Sequence, residues 1–356
     1  MKIFALYLPW FSEVEKNKDT GKILEVLERD FGYKGQIFGI KKGNPANRKP
    51  NLEAIKFIIK NARKIDVLQF YHEQTKVIAF LYKMLNPKGI VYVKTDRNLL
   101  ALQKSMPEKV KLKHILFKPI YNFFRPNLYT IETTACYELQ KKLIPKMANR
   151  LQILPNGIDF HQLKELGFEH PKKTDKENII ITVGRIGAFP KNNEMMLEAL
   201  NGLDLKDWRF VLIGPIYDET NIKFDIEQFY LNNPSLKDKV IFTGGIYDKK
   251  ELYSWYKKAS VFCLTSEWES WCLSLSDAIY FGCEIISTNV GCFDDITNND
   301  FGYKIEKAND LRILLEKIVN GQINTLQNFE KIIERSKEFD WHSICGRLDK
   351  MLEECR

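Results

Sequence analysis

Short runs of apolar residues alternate along the whole chain with longer segments of helical periodicity. This alternation is typical of parallel sheets flanked by helices, so we predict an α/β protein. The predicted strands are 2–8, 36–40, 66–71, 89–95, 128–132, 151–154, 178–184, 208–213, 239–243, 260–264 and 284–288. The predicted helices are 21–30, 51–63, 74–86, 134–146, 191–202, 222–232, 248–258, 271–282 and 308–320.

The length of the chain, 356 residues, accommodates two such domains. The residues Pro155-Asn156-Gly157-Ile158 suit a turn that requires positive φ, and the polar segment 161–176 follows them. We therefore expect a first domain over residues 1–160 and a second over 161–339. The remaining segment, 340–356, has apolar residues at helical spacing and predicts an amphipathic helix.

The composition excludes several classes of protein. Apolar residues make up 44% and charged residues 28%, which is ordinary for a soluble globular protein. No apolar run approaches the roughly 18 residues of a membrane-spanning helix, and we interpret the apolar start as a first buried strand. The seven cysteines form no C-x-x-C pair, which favours reduced thiols in a cytoplasm. The five histidines lack zinc-ligand spacing, so no metal site is expected.

The net charge of +8 is concentrated in the first half of the chain. A basic surface of this kind suits an anionic membrane, a nucleic acid or a phosphorylated acceptor. No nucleic-acid recognition motif accompanies it, so we expect no nucleic-acid partner. Residues 109–125 interleave basic residues with apolar and aromatic ones. Two interpretations remain for this segment: a membrane-interface element, which the basic half favours, or an aromatic core element with solvated lysines.

Residues 261–286 carry an acidic loop between a strand and a helix. The strand ends in Thr265-Ser266, and Asp277 follows Glu269 by eight residues, or about 12 Å at the rise of a helix. The amides of Ser270, Trp271 and Cys272 are expected to open the helix and to point free N–H groups at a ligand. Carboxylates and amides in this order suit a sugar, a diphosphate and a ribose.

A second strand–loop–helix segment, residues 179–200, carries two cations. The strand ends in Gly184-Arg185, and Lys191 lies at the start of the following helix. Fixed cations at this place stabilise the negative charge that builds on a departing diphosphate. Solvated surface cations are the alternative. Gly214 marks another turn at the end of a strand, and Ile246 follows the strand after that.

These segments resemble the donor-binding signature of glycosyltransferase family 4. The run S-E-W-E-S-W-C-L-S-L-S-D-A is similar to that family's E-G-F-G-L-x-x-x-E-A frame, and V-G-R-I followed by K-N is similar to its phosphate segment. The chain departs from the frame at Ser270, Trp271, Cys272 and Asp277. The resemblance implies a GT-B fold: two doubly wound, Rossmann-like domains facing each other across a cleft, with helix 340–356 crossing back to the first domain.

The resemblance also implies that the first domain binds the acceptor and the second the nucleotide sugar, and it implies roles for individual residues. Arg185 and Lys191 would hold the diphosphate, Glu269 the transferred sugar and Asp277 the ribose hydroxyls. Gly184, Gly214, Ile246 and the amides of residues 270–272 would border the nucleotide. No metal or other cofactor is implied.

The first domain carries fewer signals. Gly21 is the one glycine near the predicted start of the first helix, where amides could meet the diphosphate. Asp96 follows the fourth strand and either orients or deprotonates the acceptor hydroxyl, or caps the next helix. His72 fits a packed histidine.

The predicted function is that of a retaining, metal-independent enzyme. It would move a hexose-type sugar from a nucleotide-diphosphate sugar to a glycan or lipid-linked acceptor, in the cytoplasm and at the inner face of a membrane. Two alternatives stay open: a non-catalytic partner subunit that keeps the fold, and a sugar-nucleotide epimerase on the same scaffold.

Overall fold

The computed structural model describes residues 1–8, 19–39, 52–71, 76–104, 126–217 and 222–356. These residues form two compact units. Unit 1 contains Met1–Gly157 and Trp341–Arg356, and unit 2 contains Ile158–Asp340. Each unit holds one six-stranded sheet, and every strand pairing in both sheets is parallel.

The sheet of unit 1 has the strand order β2-β1-β3-β4-β5-β6. The strands are β1 Lys2–Leu8, β2 Tyr33–Gly39, β3 Val67–Tyr71, β4 Ile90–Thr95, β5 Leu128–Ile131 and β6 Leu151–Ile153. The helices are α1 Asp19–Asp30, α2 Leu52–Asn61, α3 Lys76–Leu85, α4 Leu99–Lys104, α5 Thr134–Leu143 and the C-terminal α14 Trp341–Glu354.

Successive side chains of these strands point to opposite faces of the sheet and pack into two separate cores, one on each face. Ala5 and Tyr7 of β1 face a core that includes Ile58 of α2 and Ile78 of α3. Phe4 of the same strand faces the opposite core. Burial on both faces explains why these strands read as continuous apolar runs.

The C-terminal helix α14 completes the second core of unit 1. Ile344 and Leu348 are fully buried and pack in one cluster with Ile23 and Leu27 of α1. Polar contacts fix the same helix, since the Tyr33 hydroxyl donates a hydrogen bond to Asp349 over 2.6 Å. The chain therefore returns to unit 1 after unit 2, as the resemblance implied.

The sheet of unit 2 has the order β12-β11-β10-β7-β8-β9, with a topological switch between β7 and β10. The strands are β7 Glu177–Val183, β8 Arg209–Ile213, β9 Val240–Gly244, β10 Ala259–Leu264, β11 Glu284–Thr288 and β12 Tyr303–Ile305. The helices are α6 Phe160–Glu165, α7 Glu194–Leu200, α8 Ile222–Asn232, α9 Lys249–Lys258, α10 Leu273–Tyr280, α11 Phe293–Thr297, α12 Ala308–Val319 and α13 Phe329–Ser336.

The structure adds elements that the sequence pattern did not indicate. Strand β12 has three residues, too few for an alternation to be recognised. Helix α13 is short and half charged, yet it buries Phe329 and Ile332. The predicted interfacial segment 109–125 and His72 lie outside the described residues. Within the described part of the chain, no helix has both the length and the apolar character that crossing a bilayer requires.

We predict that Leu348→Ala destabilises unit 1 by about 2–5 kcal/mol, since it leaves a cavity between α14 and α1. The matched control is Lys350→Ala, which removes an exposed side chain from the same helix. Chemical denaturation measures both changes in the free energy of unfolding. Equal, small effects of the two substitutions would contradict the packing of α14 described here.

Candidate donor-binding site

The candidate site lies in unit 2, at the carboxyl ends of β7 and β10. These strands meet at the switch in strand order, the place where open α/β sheets bind their ligands. A small cavity opens there, and its lining includes Gly184, Arg185 and Lys191 from the loop after β7 and Thr265 from the end of β10. The structure therefore places the predicted phosphate segment and the predicted acidic loop beside one another.

The two predicted glycines are required by the close approach of two strand ends. The Gly184 amide donates to the Ile213 carbonyl over 3.0 Å. Gly214 has φ of +149°, and a Cβ on it would lie 1.6 Å from the Gly184 carbonyl oxygen. Any side chain at position 214 would push the two loops apart. Packing alone thus accounts for Gly214, while Gly184 also lines the cavity.

Lys191 is positioned by hydrogen bonds between the two loops. It ends a short 3-10 turn, Phe189–Lys191, and the next residue, Asn192, has left-handed backbone with φ of 46°. The Thr265 hydroxyl lies 3.0 Å from the Lys191 carbonyl and 2.8 Å from the Asn192 carbonyl, either of which can accept its proton. The Glu267 amide donates to the Pro190 carbonyl over 2.9 Å. These bonds fix the backbone under the ammonium group.

The Lys191 ammonium and the Glu269 carboxylate form an ion pair. Lys191 Nζ lies 2.5 Å from Glu269 Oε1, and the two side chains are 18% and 17% exposed. The Ser266 hydroxyl donates to the same carboxylate oxygen over 2.8 Å. Two residues that were predicted separately, from different segments, are therefore in direct contact.

Arg185 supplies a second cation to the same cavity. Its side chain is exposed, and the guanidinium lies 5.8 Å from the centre of the Tyr217 ring. Among the described residues, no carboxylate lies within ion-pair distance of Arg185. Because Glu269 balances only Lys191, the cavity keeps one positive charge, which suits an anionic ligand.

Two polar residues of the site were not predicted. Asn193 is 3% exposed, and its Oδ1 accepts a hydrogen bond of 2.9 Å from the Gly187 amide, which shapes the loop that carries Arg185. Ser266 is fully buried and orients Glu269. The only sequence signal for either residue is a polar side chain next to a strand end.

The helix after the acidic loop begins later than predicted. Its first residue is Leu273, and Cys272 is the N-cap. Trp271 is buried against Phe339, and its indole donates to the Ser276 hydroxyl over 2.9 Å. The prediction that the amides of residues 270–272 open the helix was therefore wrong, as was the helical spacing assumed between Glu269 and Asp277. The extended backbone of Cys272, with φ of −92° and ψ of 100°, is the physical reason, since it cannot belong to the helix.

Contrary to the prediction, Cys272 does not offer a free backbone amide to a ligand. Its amide approaches the Cys292 sulfur at 3.4 Å and is not left free for a ligand. Burial raises the pKa of the Cys272 thiol to about 11, so the sulfur remains protonated at neutral pH. Ser270, just before these two residues, stays half-buried.

Asp277 lies on α10 in a different electrostatic environment from Glu269. Burial raises the pKa of its carboxyl group to about 7; the charge of Lys249 lowers it and that of Asp159 raises it further. The raised pKa means that the protein stabilises the ionised form of Asp277 poorly, because no strong cationic or hydrogen-bonding partner compensates for burial. A ligand that donates hydrogen bonds would stabilise that form.

The remaining predicted residues are Ile246 in unit 2 and Gly21 and Asp96 in unit 1. Ile246 follows β9 and packs partly against the core of unit 2, next to Tyr247, which is 85% exposed. Gly21 is the third residue of α1 in unit 1, within the first turn of that helix, as predicted. Asp96 follows β4, also in unit 1, and its charge raises the pKa values of Tyr71 and Glu132. Among the described residues, no three His, Cys, Asp or Glu side chains are grouped as metal ligands would be.

Comparison with known proteins identifies the domain that carries the site. Residues 164–337 match the family described as "Glycosyl transferases group 1". In fold, the chain is similar to HepE of Anabaena in complex with UDP and glucose, with a TM-score of 0.68, 10% identity and coverage of 99% of this chain and 100% of that one. The predicted GT-B fold is thus confirmed, and the segment that matches the group 1 family lies within unit 2.

Two curated proteins are similar over part of their lengths. "Protein CapJ" of Staphylococcus aureus is 26% identical over 147 residues, 38% of this chain and 37% of that protein. The Escherichia coli "UDP-Gal:alpha-D-GlcNAc-diphosphoundecaprenol alpha-1,3-galactosyltransferase" is 24% identical over 220 residues, 57% of this chain and 53% of that protein. The chain matches less than two thirds of the length of either relative.

We predict that Asp277→Asn stabilises the protein at neutral pH but not at acid pH. The folded-state pKa of about 7 lies above the ordinary value, so the folded state holds a proton that the unfolded state has lost. Wild-type stability should therefore fall as the pH rises from about 4 to 7, relative to the variant, and the difference should then level off. Thermal denaturation across this pH range measures the difference in stability between the wild type and the variant. A stability difference that does not vary with pH would contradict the assigned burial of Asp277.

Proposed function

We propose that this protein is a retaining, metal-independent glycosyltransferase. It moves a hexose-type sugar from a nucleotide-diphosphate sugar to a hydroxyl group of a cell-surface glycan or lipid-linked acceptor. The observation that carries the proposal is the grouping of Arg185, Lys191 and Glu269 at the switch point of a group 1 glycosyltransferase domain.

The two cations account for the leaving group. When the bond from the sugar to the diphosphate breaks, negative charge builds on the diphosphate oxygens. Arg185 and Lys191, fixed at the edge of the sheet, stabilise that charge more in the transition state than in the ground state, which accelerates the reaction. In this proposal the two cations neutralise the charge that a divalent ion would otherwise neutralise.

Glu269 holds the transferred sugar in this proposal. Without a ligand its charge is matched by Lys191 at 2.5 Å. A bound diphosphate offers Lys191 a second anionic partner, so the carboxylate becomes available to accept hydrogen bonds from sugar hydroxyls and to stabilise positive charge at the anomeric carbon. The ion pair thereby keeps both groups in place before the donor arrives.

The nucleoside part of the donor would extend along unit 2. Asp277 accepts hydrogen bonds from the ribose hydroxyls, which would stabilise a carboxylate that burial now disfavours. Ile246 and the exposed Tyr247 ring would frame the base. The HepE structure contains UDP, which supports a uridine donor for this chain as well.

Retention of configuration follows from departure and attack on the same face of the sugar. The bond between the anomeric carbon and the diphosphate oxygen breaks, and the acceptor oxygen bonds to the same carbon. A diphosphate oxygen takes the acceptor's proton, so no separate base is needed. The products are the glycosylated acceptor and a nucleoside diphosphate.

The acceptor is proposed to be lipid-linked and to be met in the cytoplasm at the inner face of a membrane. Support comes from the E. coli relative, whose name specifies a diphosphoundecaprenol acceptor. The basic first half of the chain would favour an anionic lipid surface. The relative's name likewise favours UDP-galactose as one donor to test.

We predict that Arg185→Ala and Lys191→Ala each lower turnover by about two orders of magnitude, the usual effect of losing one charge-stabilising donor. The matched control is Arg209→Ala, which removes an exposed arginine at the opposite end of β8, where it pairs with Glu177. UDP release from UDP-galactose and UDP-glucose, with a glycolipid acceptor, measures turnover. Near wild-type rates for both variants would overturn the phosphate assignment.

Glu269→Gln should separate transfer from nucleotide binding. It removes the charge that competes for Lys191, so the affinity for UDP should stay the same or increase. Turnover should fall by at least about tenfold, because a charge-assisted hydrogen bond to the sugar is lost. Calorimetric titration and the UDP-release assay give the two numbers. Loss of UDP affinity with unchanged turnover would contradict this role, and a wild-type protein that binds no nucleotide would favour the non-catalytic alternative.

A further inference from the structure

Unit 1 presents different surfaces on the two sides of its sheet. Helices α2, α3 and α4 cover one side, because Ile58, Ile78 and Leu102 pack in the core that Ala5 and Tyr7 face. Helices α1 and α14 cover the other side. The two sides can therefore be compared by the residues that each of them exposes to solvent.

The side covered by α2, α3 and α4 exposes large apolar side chains. Leu52 and Ile59 of α2 are 72% and 59% exposed, and Val77 and Met84 of α3 are 52% and 61% exposed. Within each pair the residues are seven positions apart, so they lie two turns apart along one line of the helix. Leu100 of α4 is 42% exposed. Among the described residues of α1 and α14, no large apolar side chain is exposed.

The charges are divided between the two sides in the same way. In α2, α3, α4 and the turns after α2 and α3, the described residues include one exposed carboxylate and six exposed cations: Glu53, Lys56, Lys60, Arg63, Lys64, Lys88 and Lys104. The exposed carboxylates of α1 and α14 instead outnumber the exposed lysines and arginines by five to three: Glu25, Glu28, Asp30, Glu353 and Glu354 against Arg29, Arg347 and Lys350. The side that exposes apolar residues is therefore also the basic side.

On α2 the cations and the exposed apolar residues share one face of the helix. Lys56 follows Leu52 by four positions, and Lys60 follows Lys56 by four, so both lysines lie on the same side of α2 as Leu52 and Ile59. The alkyl stem of a lysine can lie along apolar surface while its ammonium group reaches a polar layer. A helix face of this composition suits the boundary between the headgroups and the acyl chains of a lipid bilayer.

The composition of this surface favours a lipid bilayer over a macromolecular partner. The buried centres of protein–protein interfaces are depleted in lysine, whereas Lys56 and Lys60 lie beside the apolar residues here. Proteins that bind single-stranded nucleic acid stack bases on aromatic side chains, but the exposed large apolar residues of α2, α3 and α4 are all non-aromatic. An anionic bilayer offers both a negative surface for the cations and acyl chains for the apolar residues.

We propose that the outward side of α2, α3 and α4 docks on an anionic lipid bilayer. Its cations meet the lipid phosphates, and its four most exposed apolar side chains enter the headgroup layer: Leu52, Ile59, Val77 and Met84. The inference rests on the proposed function, since a lipid-linked acceptor is met at a bilayer, and it names the surface of unit 1 that makes the contact. None of these residues belongs to the segment 109–125.

The test is cosedimentation of the full chain with vesicles of phosphatidylglycerol and phosphatidylcholine in equal amounts, and with vesicles of phosphatidylcholine alone. The wild type should bind the anionic vesicles at least about tenfold more tightly than the neutral ones, because the cations attract only a negative surface. Added salt should weaken the binding to the anionic vesicles. No binding to the anionic vesicles, or equal binding to both kinds, would overturn the proposal.

A pair of charge variants tests which side of unit 1 meets the lipid. Lys56→Ala/Lys60→Ala should weaken binding to the anionic vesicles by about tenfold or more, since each cation near the surface adds to the attraction. The matched control is Arg347→Ala/Lys350→Ala, which removes the same charge from the exposed part of α14 on the opposite side. The control should bind nearly as the wild type does. Equal effects of the two double substitutions would mean that net charge alone drives binding and would overturn the assignment.

A pair of apolar variants tests entry into the headgroup layer. Val77→Ser/Met84→Ser should weaken binding to the anionic vesicles by about tenfold or more, because less apolar area leaves water. The matched control, Phe224→Ser/Leu231→Ser, removes two side chains of α8 in unit 2 that are 61% and 72% exposed, and it should bind as the wild type does. Unchanged binding by the α3 variant would overturn the proposal. Light scattering that shows a dimer of the wild type but a monomer of this variant would also overturn it, in favour of a second copy of the chain.

Calorimetric titration of the same proteins with UDP distinguishes this inference from the proposed function. UDP binding without vesicle binding would overturn the lipid-docking surface alone. Vesicle binding without UDP binding would support the lipid-docking surface and overturn the proposed donor chemistry.

Discussion

The ion pair between Lys191 and Glu269 is the interaction on which the proposed donor site depends. Its two members come from loops after β7 and β10, and the contact exists because these strands are neighbours at the switch in strand order. Thr265 fixes the backbone of Lys191, and Ser266 fixes the carboxylate. With Glu269 balancing Lys191, the positive charge of Arg185 remains for an anion. The side chains of the cavity are therefore held in place without a ligand, which supports the proposed diphosphate site.

Both units use the same architecture for different chemistry. In unit 2 the carboxyl edge of the sheet presents cations with one charge unbalanced, which suits a diphosphate. In unit 1 the equivalent edge buries Lys94 between two carboxyl groups. The two edges differ because different side chains follow the strands, since the two sheets have similar architectures.

Much of the fold followed from the alternation of apolar runs and helical periodicity, because buried parallel strands are strongly apolar on both faces. The limits of that reasoning were local. The start of α10 was misplaced because the extended backbone of Cys272 has no signature in the apolar pattern. Within the candidate site, Arg185, Lys191 and Glu269 were recognisable from their positions after apolar strands and from the family resemblance. Asn193 was not, since a polar side chain next to a strand end is its only signal in the sequence.

The central claim, that Arg185 and Lys191 bind the diphosphate without a divalent ion, is tested most directly by calorimetric titration of UDP in the presence of EDTA. The account predicts that the wild-type protein binds UDP under these conditions and that the Arg185→Ala/Lys191→Ala double variant loses most of that affinity while remaining folded. UDP binding that requires added Mg²⁺, or equal affinity of the two proteins in EDTA, would contradict it.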